Sequence, residues 1–189
     1  MAQSNQVSQS AEQKGADGAR LLQPVEAVER AIAGGETHTY NIRLDARQFV
    51  HIVVDPQGID VALTLYGPGG EKLLVADLLK YPGPEPLSFV ASKEGAYRLK
   101  VKAVGTGAVS GRYMLKSETK SKASETDRER MAAEAVLREA VAQEDEVSKE
   151  SLGRAVEKYG EAIRQWRALG DKYWEAFALN SSGRVSYSL

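Results

Sequence analysis

Few residues in this chain are of a type and spacing that could do chemistry. His38 and His51 are its two histidines, the side chains that titrate near neutrality, and cysteine is absent. Without cysteine there can be no thiolate nucleophile, no cysteine-ligated metal and no disulfide. Alternating sequence around each histidine predicts two neighbouring strands on which the rings could approach as a metal-binding or basic pair. Neither histidine has a further ligand at metal-site spacing, so ordinary strand residues are the expectation. Asp55, Asp60 and Asp77 could offer oxygens to calcium at one end of a β-fold, but the surrounding loops lack the dense acidic pattern of such sites. Turn-forming aspartates are expected instead. The run Gly67-Pro68-Gly69-Gly70 is followed by Glu71-Lys72 rather than the Gly-Lys-Ser/Thr that cradles phosphate, and it reads as a hairpin turn. No Gly-x-Ser-x-Gly elbow occurs. The expectation is no catalytic residue, no metal and no cofactor, hence no enzyme. The candidate partner-binding residues are Asn180 and Arg184, which four-residue spacing places on one face of a helix, where they could hold a peptide's backbone or carboxylates.

The elements that must position these residues are of two kinds. Ile59, Val61, Leu63 and Leu65 alternate with Asp60, Ala62, Thr64 and Tyr66 before the glycine turn, the pattern of a strand with one buried face. Further strands are predicted over residues 28–32, 37–44, 48–55, 71–76, 87–91, 96–103 and 112–117, with a proline-broken loop over 81–86. The segment 48–55 is apolar enough to be buried on both faces. About eight short strands separated by glycine and proline turns predict an antiparallel, jelly-roll-like β-sandwich. Beyond residue 117 β-branched residues give way to Ala, Glu, Arg and Lys. Three helices are predicted. The first spans 127–143 and is capped by Ser124 or Thr126, with Glu129 in its first turn. The second carries Leu152, Val156, Tyr159, Ile163, Trp166 and Leu169 and stops at Gly170. The third, capped by Asp171, begins at Lys172 and runs to the end. The expected fold class is therefore multidomain, all-β followed by all-α. Its parts are a disordered leader over 1–20, a sandwich over 21–118, a linker over 119–126 and helices over 127–189.

Three motifs in the β-segment carry a family resemblance. They are Gly35-Glu36-Thr37-His38-Thr39-Tyr40, Gly58-Ile59-Asp60-Val61-Ala62-Leu63 leading to Tyr66-Gly67-Pro68-Gly69-Gly70, and Gly95-Ala96-Tyr97-Arg98-Leu99. The segment resembles the pre-peptidase C-terminal domain family of bacterial β-sandwiches. The helical segment is similar to tetratricopeptide repeats of the roughly 40-residue kind. AVEKYGEAIRQWRALG (155–170) looks like the second helix of one repeat, and AFALNSSGRVSY (176–187) like the first helix of the next. Ser182 and Ser186 stand where such repeats place bulky residues. A competing register, Trp166-x-x-Leu169-Gly170-x-x-Tyr173, is rejected because it would run one helix through Gly170-Asp171. Together the two segments resemble the amino-terminal part of bacterial proteins that end in a caspase-like CHAT peptidase domain. That resemblance implies a catalytic His and Cys lying outside this chain. Separately, the third helix carries aromatics that want a fourth helix and has no stop signal, so Leu189 is expected to be a truncation point.

Charge narrows the partners. With 25 bases and 26 acids interspersed, net charge is −1, and nucleic acid is not expected. No apolar run is long enough to span a bilayer. A cytoplasmic location is the default, or an extracytoplasmic one if a signal segment once preceded Ala2. The resulting expectation is a non-catalytic protein-binding or scaffolding module acting through a helical groove. The alternative is a carbohydrate- or cell-surface-binding sandwich, which exposed aromatics on one sheet face would support; Tyr66, Tyr81 and Tyr113 are too scattered in the sequence to form such a face. Trp174 and Phe177, expected on the surface of the last helix, suggest self-association.

Overall fold

Alternation decides which face of each strand enters the core, and the strands then sort into two sheets. In the computed structural model, which describes residues 19–105 and 107–189, the elements in chain order are β1 (Arg20–Leu21), β2 (Val25–Gly34), β3 (Thr37–Leu44), β4 (Phe49–Gln57), β5 (Asp60–Tyr66), β6 (Lys72–Ala76), β7 (Glu85–Val90), β8 (Gly95–Val104) and β9 (Gly107–Lys120). Helices α1 (Glu125–Asp145), α2 (Lys149–Ala168) and α3 (Lys172–Tyr187) follow. One sheet has the order β1-β3-β8-β5-β6 and the other β2-β9-β4-β7. Neighbours are antiparallel except for β1, a two-residue strand missed by the sequence reading, which runs parallel to β3.

The buried set of β3 (His38, Tyr40, Ile42, Leu44) and that of β5 (Val61, Leu63, Leu65) are those the alternation predicts. They meet Val50, Ile52, Val54, Leu87 and Leu115 of the facing sheet in one apolar cluster. In β4 the second face is only partly covered. Phe49 is buried while His51 and Val53 are half-buried. The cover is α1, which packs on the adjacent β7.

Pro86, expected in a loop, lies inside β7. That is tolerated because β7 is an edge strand, where a missing N–H breaks no ladder bond. Between β6 and β7 the chain leaves the sandwich. Leu78 and Leu79 of this excursion sit in a second apolar cluster with Leu137, Ala140, Tyr159, Trp166 and Trp174 of the helices.

Ser124 is the cap of α1, and its partner in the first turn is Asp127 rather than Glu129. Burial pulls the Asp127 carboxyl up, but hydrogen bonds from Ser124 and Lys120 outweigh it and hold the group down to about 2. Gly170, at φ +71°, ends the second helix, and Asp171 caps the third by accepting from the Trp174 N–H, so the chain breaks where predicted. Arg130 near the start of α1 pairs with Asp171 at 3.1 Å, and Glu144 near its end pairs with Arg184 of α3. These two pairs make α1 and α3 parallel, with α2 antiparallel against both.

Candidate functional site

The two histidines do not meet. Consecutive strands of a sandwich often cross between its sheets, and here β3 and β4 lie in different ones. His38 Nδ1 is 2.8 Å from the Tyr113 hydroxyl, which is 2.6 Å from the Tyr40 hydroxyl, while His38 Nε2 is 2.9 Å from Glu36 Oε1. This chain of polar groups ties β3 to β9 across the two sheets. Burial depresses the His38 pKa more than Glu36 restores it, and burial with the Tyr40 contact pushes the Tyr113 phenol far above its ordinary range. Tyr113, its phenol shifted up, and His38, its pKa shifted down, form a structural bridge between the sheets that ends at the exposed Glu36 carboxylate.

His51, Ser88 and Glu134 bring together the three residue types of a hydrolase, but in the wrong order. His51 Nδ1 lies 2.8 Å from Ser88 Oγ, and Ser88 donates its hydroxyl to Glu134 Oε1 at 2.8 Å. The serine is the middle member, so its proton is directed to the carboxylate and the histidine acts as a donor to it. A nucleophilic serine needs the reverse, with the histidine between the hydroxyl and the acid. Ser88 is also buried, and Glu134 is completely so. The Ser88 N–H donates to Glu134 Oε2 at 2.9 Å, and Arg138 stands 3.7 Å from the same oxygen. Burial raises the Glu134 pKa against these contacts. The group is a seam between β7 and α1.

A second buried carboxylate holds the excursion over residues 77–84. Glu85 is fully buried, and its Oε1 and Oε2 accept from the Leu78 N–H at 3.0 and 2.9 Å, with Leu79 N–H at 2.8 Å from Oε1. Burial pushes its carboxyl up to about 8 although the N–H groups pull the other way, and Asp77 and Asp60 add to the rise.

This tether places Tyr81 beside α3. Tyr81, Tyr173, Ala176, Phe177, Asn180, Ser181 and Arg184 line a cavity of about 400 Å³. An adjoining hollow of about 200 Å³ shares Tyr81, Phe177 and Arg184 and reaches Lys80, Glu144 and Asp145. Asn180 and Arg184, the pair singled out in the sequence, thus line one wall, with three aromatic rings beside them. Both are exposed. Arg184 is held by Glu144, which also accepts from the Tyr159 hydroxyl at 2.7 Å, and Lys80 pairs with Asp145 at 3.0 Å. The Glu144 contact raises the Arg184 pKa, although the guanidinium is charged with or without it.

Sequence reasoning did not place Tyr81 or Tyr173 beside Asn180 and Arg184. Tyr81 sits in a loop whose docking depends on Glu85, and no local pattern reports that. Trp174, expected on the surface, is buried, and Phe177 is half-buried between Trp174 (ring centroids 5.6 Å apart) and the cavity. The apolar side chains that α3 does expose are Tyr173, Leu179 and Tyr187. Tyr66, Tyr81 and Tyr113 share no platform, since Tyr113 is buried in the sandwich, Tyr81 lines the cavity and Tyr66 lies under Lys100. Among the described residues no three His, Asp or Glu side chains come together as a ligand set, and no helix is long and apolar enough to cross a membrane.

No protein-family model and no curated protein gives a match to the chain. Solved structures are similar to it over about half its length. One is the pre-peptidase C-terminal domain of collagenase from Bacillus anthracis, with 21% identity and TM-score 0.44, covering 54% of this chain and 94% of that one. Another is PliG, a periplasmic lysozyme inhibitor of g-type lysozyme from Aeromonas hydrophila, with 13% identity and TM-score 0.44, covering 53% and 94%. The corresponding inhibitor from Salmonella Typhimurium has 24% identity and TM-score 0.39, covering 52% and 89%.

Proposed function

We propose that the chain is a non-catalytic module that binds a peptide segment of a protein partner in the groove between residues 77–84 and α3. One observation carries this reading: Asn180 and Arg184 line the same cavity as Tyr81, Tyr173 and Phe177. The rings offer an apolar seat for one side chain, and the Asn180 amide offers both a donor and an acceptor, the complement of a peptide unit. Arg184, already charged and exposed, can exchange Glu144 for a carboxylate of the partner. The parallel α1 and α3 on either side of α2 suit the opening of a helical array of the tetratricopeptide kind. In that setting a sandwich of residues 21–118 and helices from 127 onward would form the docking end of a longer protein of the CHAT type.

The test is selection of peptides from a random display library on the whole chain, followed by calorimetry of the selected peptides with Tyr81→Ala and Asn180→Ala. Affinity should fall about tenfold or more in each variant, as expected for central contacts of an interface. Selected peptides whose affinity is unchanged by both substitutions would place the binding surface elsewhere.

A further inference from the structure

The outer face of the five-stranded sheet has a different character from the rest of the surface. The helices pack on the other sheet, through β7, and no described element covers this one. Because Tyr97, Leu99, Val101 and Ala103 of β8 point inward, Arg98, Lys100 and Lys102 point outward along its central strand. The register sets Thr39 and Thr64 on either side of Lys100, and Asn41 and Tyr66 on either side of Arg98. Arg43, beside Ala96, extends the positive row. Asp60, opposite Val104 at one end, is the one carboxylate among the outward side chains of β3, β5 and β8, and its Oδ1 already accepts from the Val61 N–H.

Some cations elsewhere have partners, such as Lys93 with Glu71 at 3.2 Å or Arg112 with Glu29 at 2.9 Å, and those without an ion pair among the described residues, such as Lys116 or Lys149, do not form a row along one strand face. Arg43, Arg98, Lys100 and Lys102 have no carboxylate within ion-pair distance among the described residues. Like charges two residues apart on a strand lie about 7 Å from one another and repel. A chain of net charge −1 with 26 acids has ample means to neutralise such a row, and does not. Lys100 is further held down over the Tyr66 ring, 5.1 Å from its centroid.

We infer that this face binds an acidic protein segment in extended conformation, with carboxylates at alternate positions meeting Arg98, Lys100 and Lys102. The repeat decides the partner. An extended peptide presents every second side chain on one side at the same spacing of about 7 Å, so three carboxylates match three cations without bending. Thr39 and Thr64 flank the row with hydroxyls able to bond the segment's backbone. A single-stranded nucleic acid would want a series of stacking rings, and among the described residues Tyr66 is the one aromatic side chain on this face and is covered by Lys100. A lipid surface would want apolar side chains among the cations, and the exposed Leu73, Val75 and Val104 lie at the margins, on β6 and at the end of β8. This surface is separate from the groove and does not depend on it.

The experiment uses the whole chain and two labelled peptides of equal composition and charge, one alternating (five Glu-Thr pairs) and one blocked (five Glu, then five Thr), followed by fluorescence anisotropy. The alternating peptide should bind at least about fivefold more tightly, and an Arg98→Gln, Lys100→Gln, Lys102→Gln variant should lose roughly tenfold or more of that affinity. A variant with Arg112→Gln, Lys116→Gln and Lys122→Gln carries the same net charge and should bind as the parent does. Thermal unfolding of both variants verifies that outward substitutions leave the fold intact. Equal binding of the two peptides, full binding by the first variant, or tighter binding of phosphatidylglycerol vesicles or a single-stranded oligonucleotide than of the alternating peptide would each overturn the inference.

Discussion

Glu85 should make the stability of this protein fall as pH rises, and Glu85→Gln should remove the part of that fall that Glu85 contributes. The carboxyl is fully buried, and burial raises it from 4.5 to about 8. A group whose pKa is higher in the folded chain than in the unfolded one stabilises the fold fully below its unfolded value. That contribution is lost as pH climbs toward the folded value. The interval from 4.5 to about 8, at about 1.4 kcal/mol for each pH unit, sets an upper limit of roughly 5 kcal/mol on the loss. Glutamine keeps the volume and an oxygen able to accept from the Leu78 and Leu79 N–H groups, and it cannot ionise. The difference in unfolding free energy between parent and variant should therefore be small at pH 5, within about 1–2 kcal/mol. By pH 9 it should have moved in favour of the variant by several kcal/mol. Urea unfolding at pH 5, 7 and 9, followed by the fluorescence of the buried Trp166 and Trp174, measures it directly. Parent and variant curves that keep a constant separation, within about 1 kcal/mol, from pH 5 to 9 would refute the reasoning. It would mean that the N–H groups dominate over burial.

Two further predictions concern the contact between sandwich and helices. Leu79→Ala removes a completely buried side chain from the helical cluster and should cost about 2–5 kcal/mol in urea unfolding, with a shift in tryptophan emission. Ser88→Ala leaves Glu134 with the Ser88 N–H but without the hydroxyl, and should cost about 1–3 kcal/mol in the same assay. Replacing Glu134 by Gln as well should recover part of that loss, since a neutral amide tolerates the missing donor better than a buried carboxylate.

The sandwich and the helices were legible because each rests on local periodicity. Ile59, Val61, Leu63 and Leu65 announce a half-buried strand whatever lies opposite, and Gly170 followed by Asp171 announces a stop and a start. The same local logic brought Asn180 and Arg184 to one face of α3. It could not see the residues that decide how the two halves meet. Glu85 and Glu134 are written like any surface glutamate, in a chain with 26 acids, and only the arrival of the Leu78 N–H or the Ser88 hydroxyl makes them interior. The pairing of His38 with His51 failed for a related reason. Adjacent strands in sequence need not be adjacent in a sandwich, and the alternation within each strand carries no information about which sheet it joins. Arg98, Lys100 and Lys102 were visible as the outward half of an alternating strand, but a net charge near zero concealed how they gather.

The excursion over residues 77–84 also sets what can be exchanged between proteins of this build. Leu78 and Leu79 leave the sandwich to complete the apolar interior of the helices, and the carboxylate that fixes them belongs to the strand that brings the chain home. A recombination event that cut the gene after β9 and attached foreign helices would carry these two leucines along, shaped for an interior no longer there. The unit that keeps its interior filled is therefore the sandwich, its excursion and the helices together, joined by a short detour far in sequence from the junction it serves.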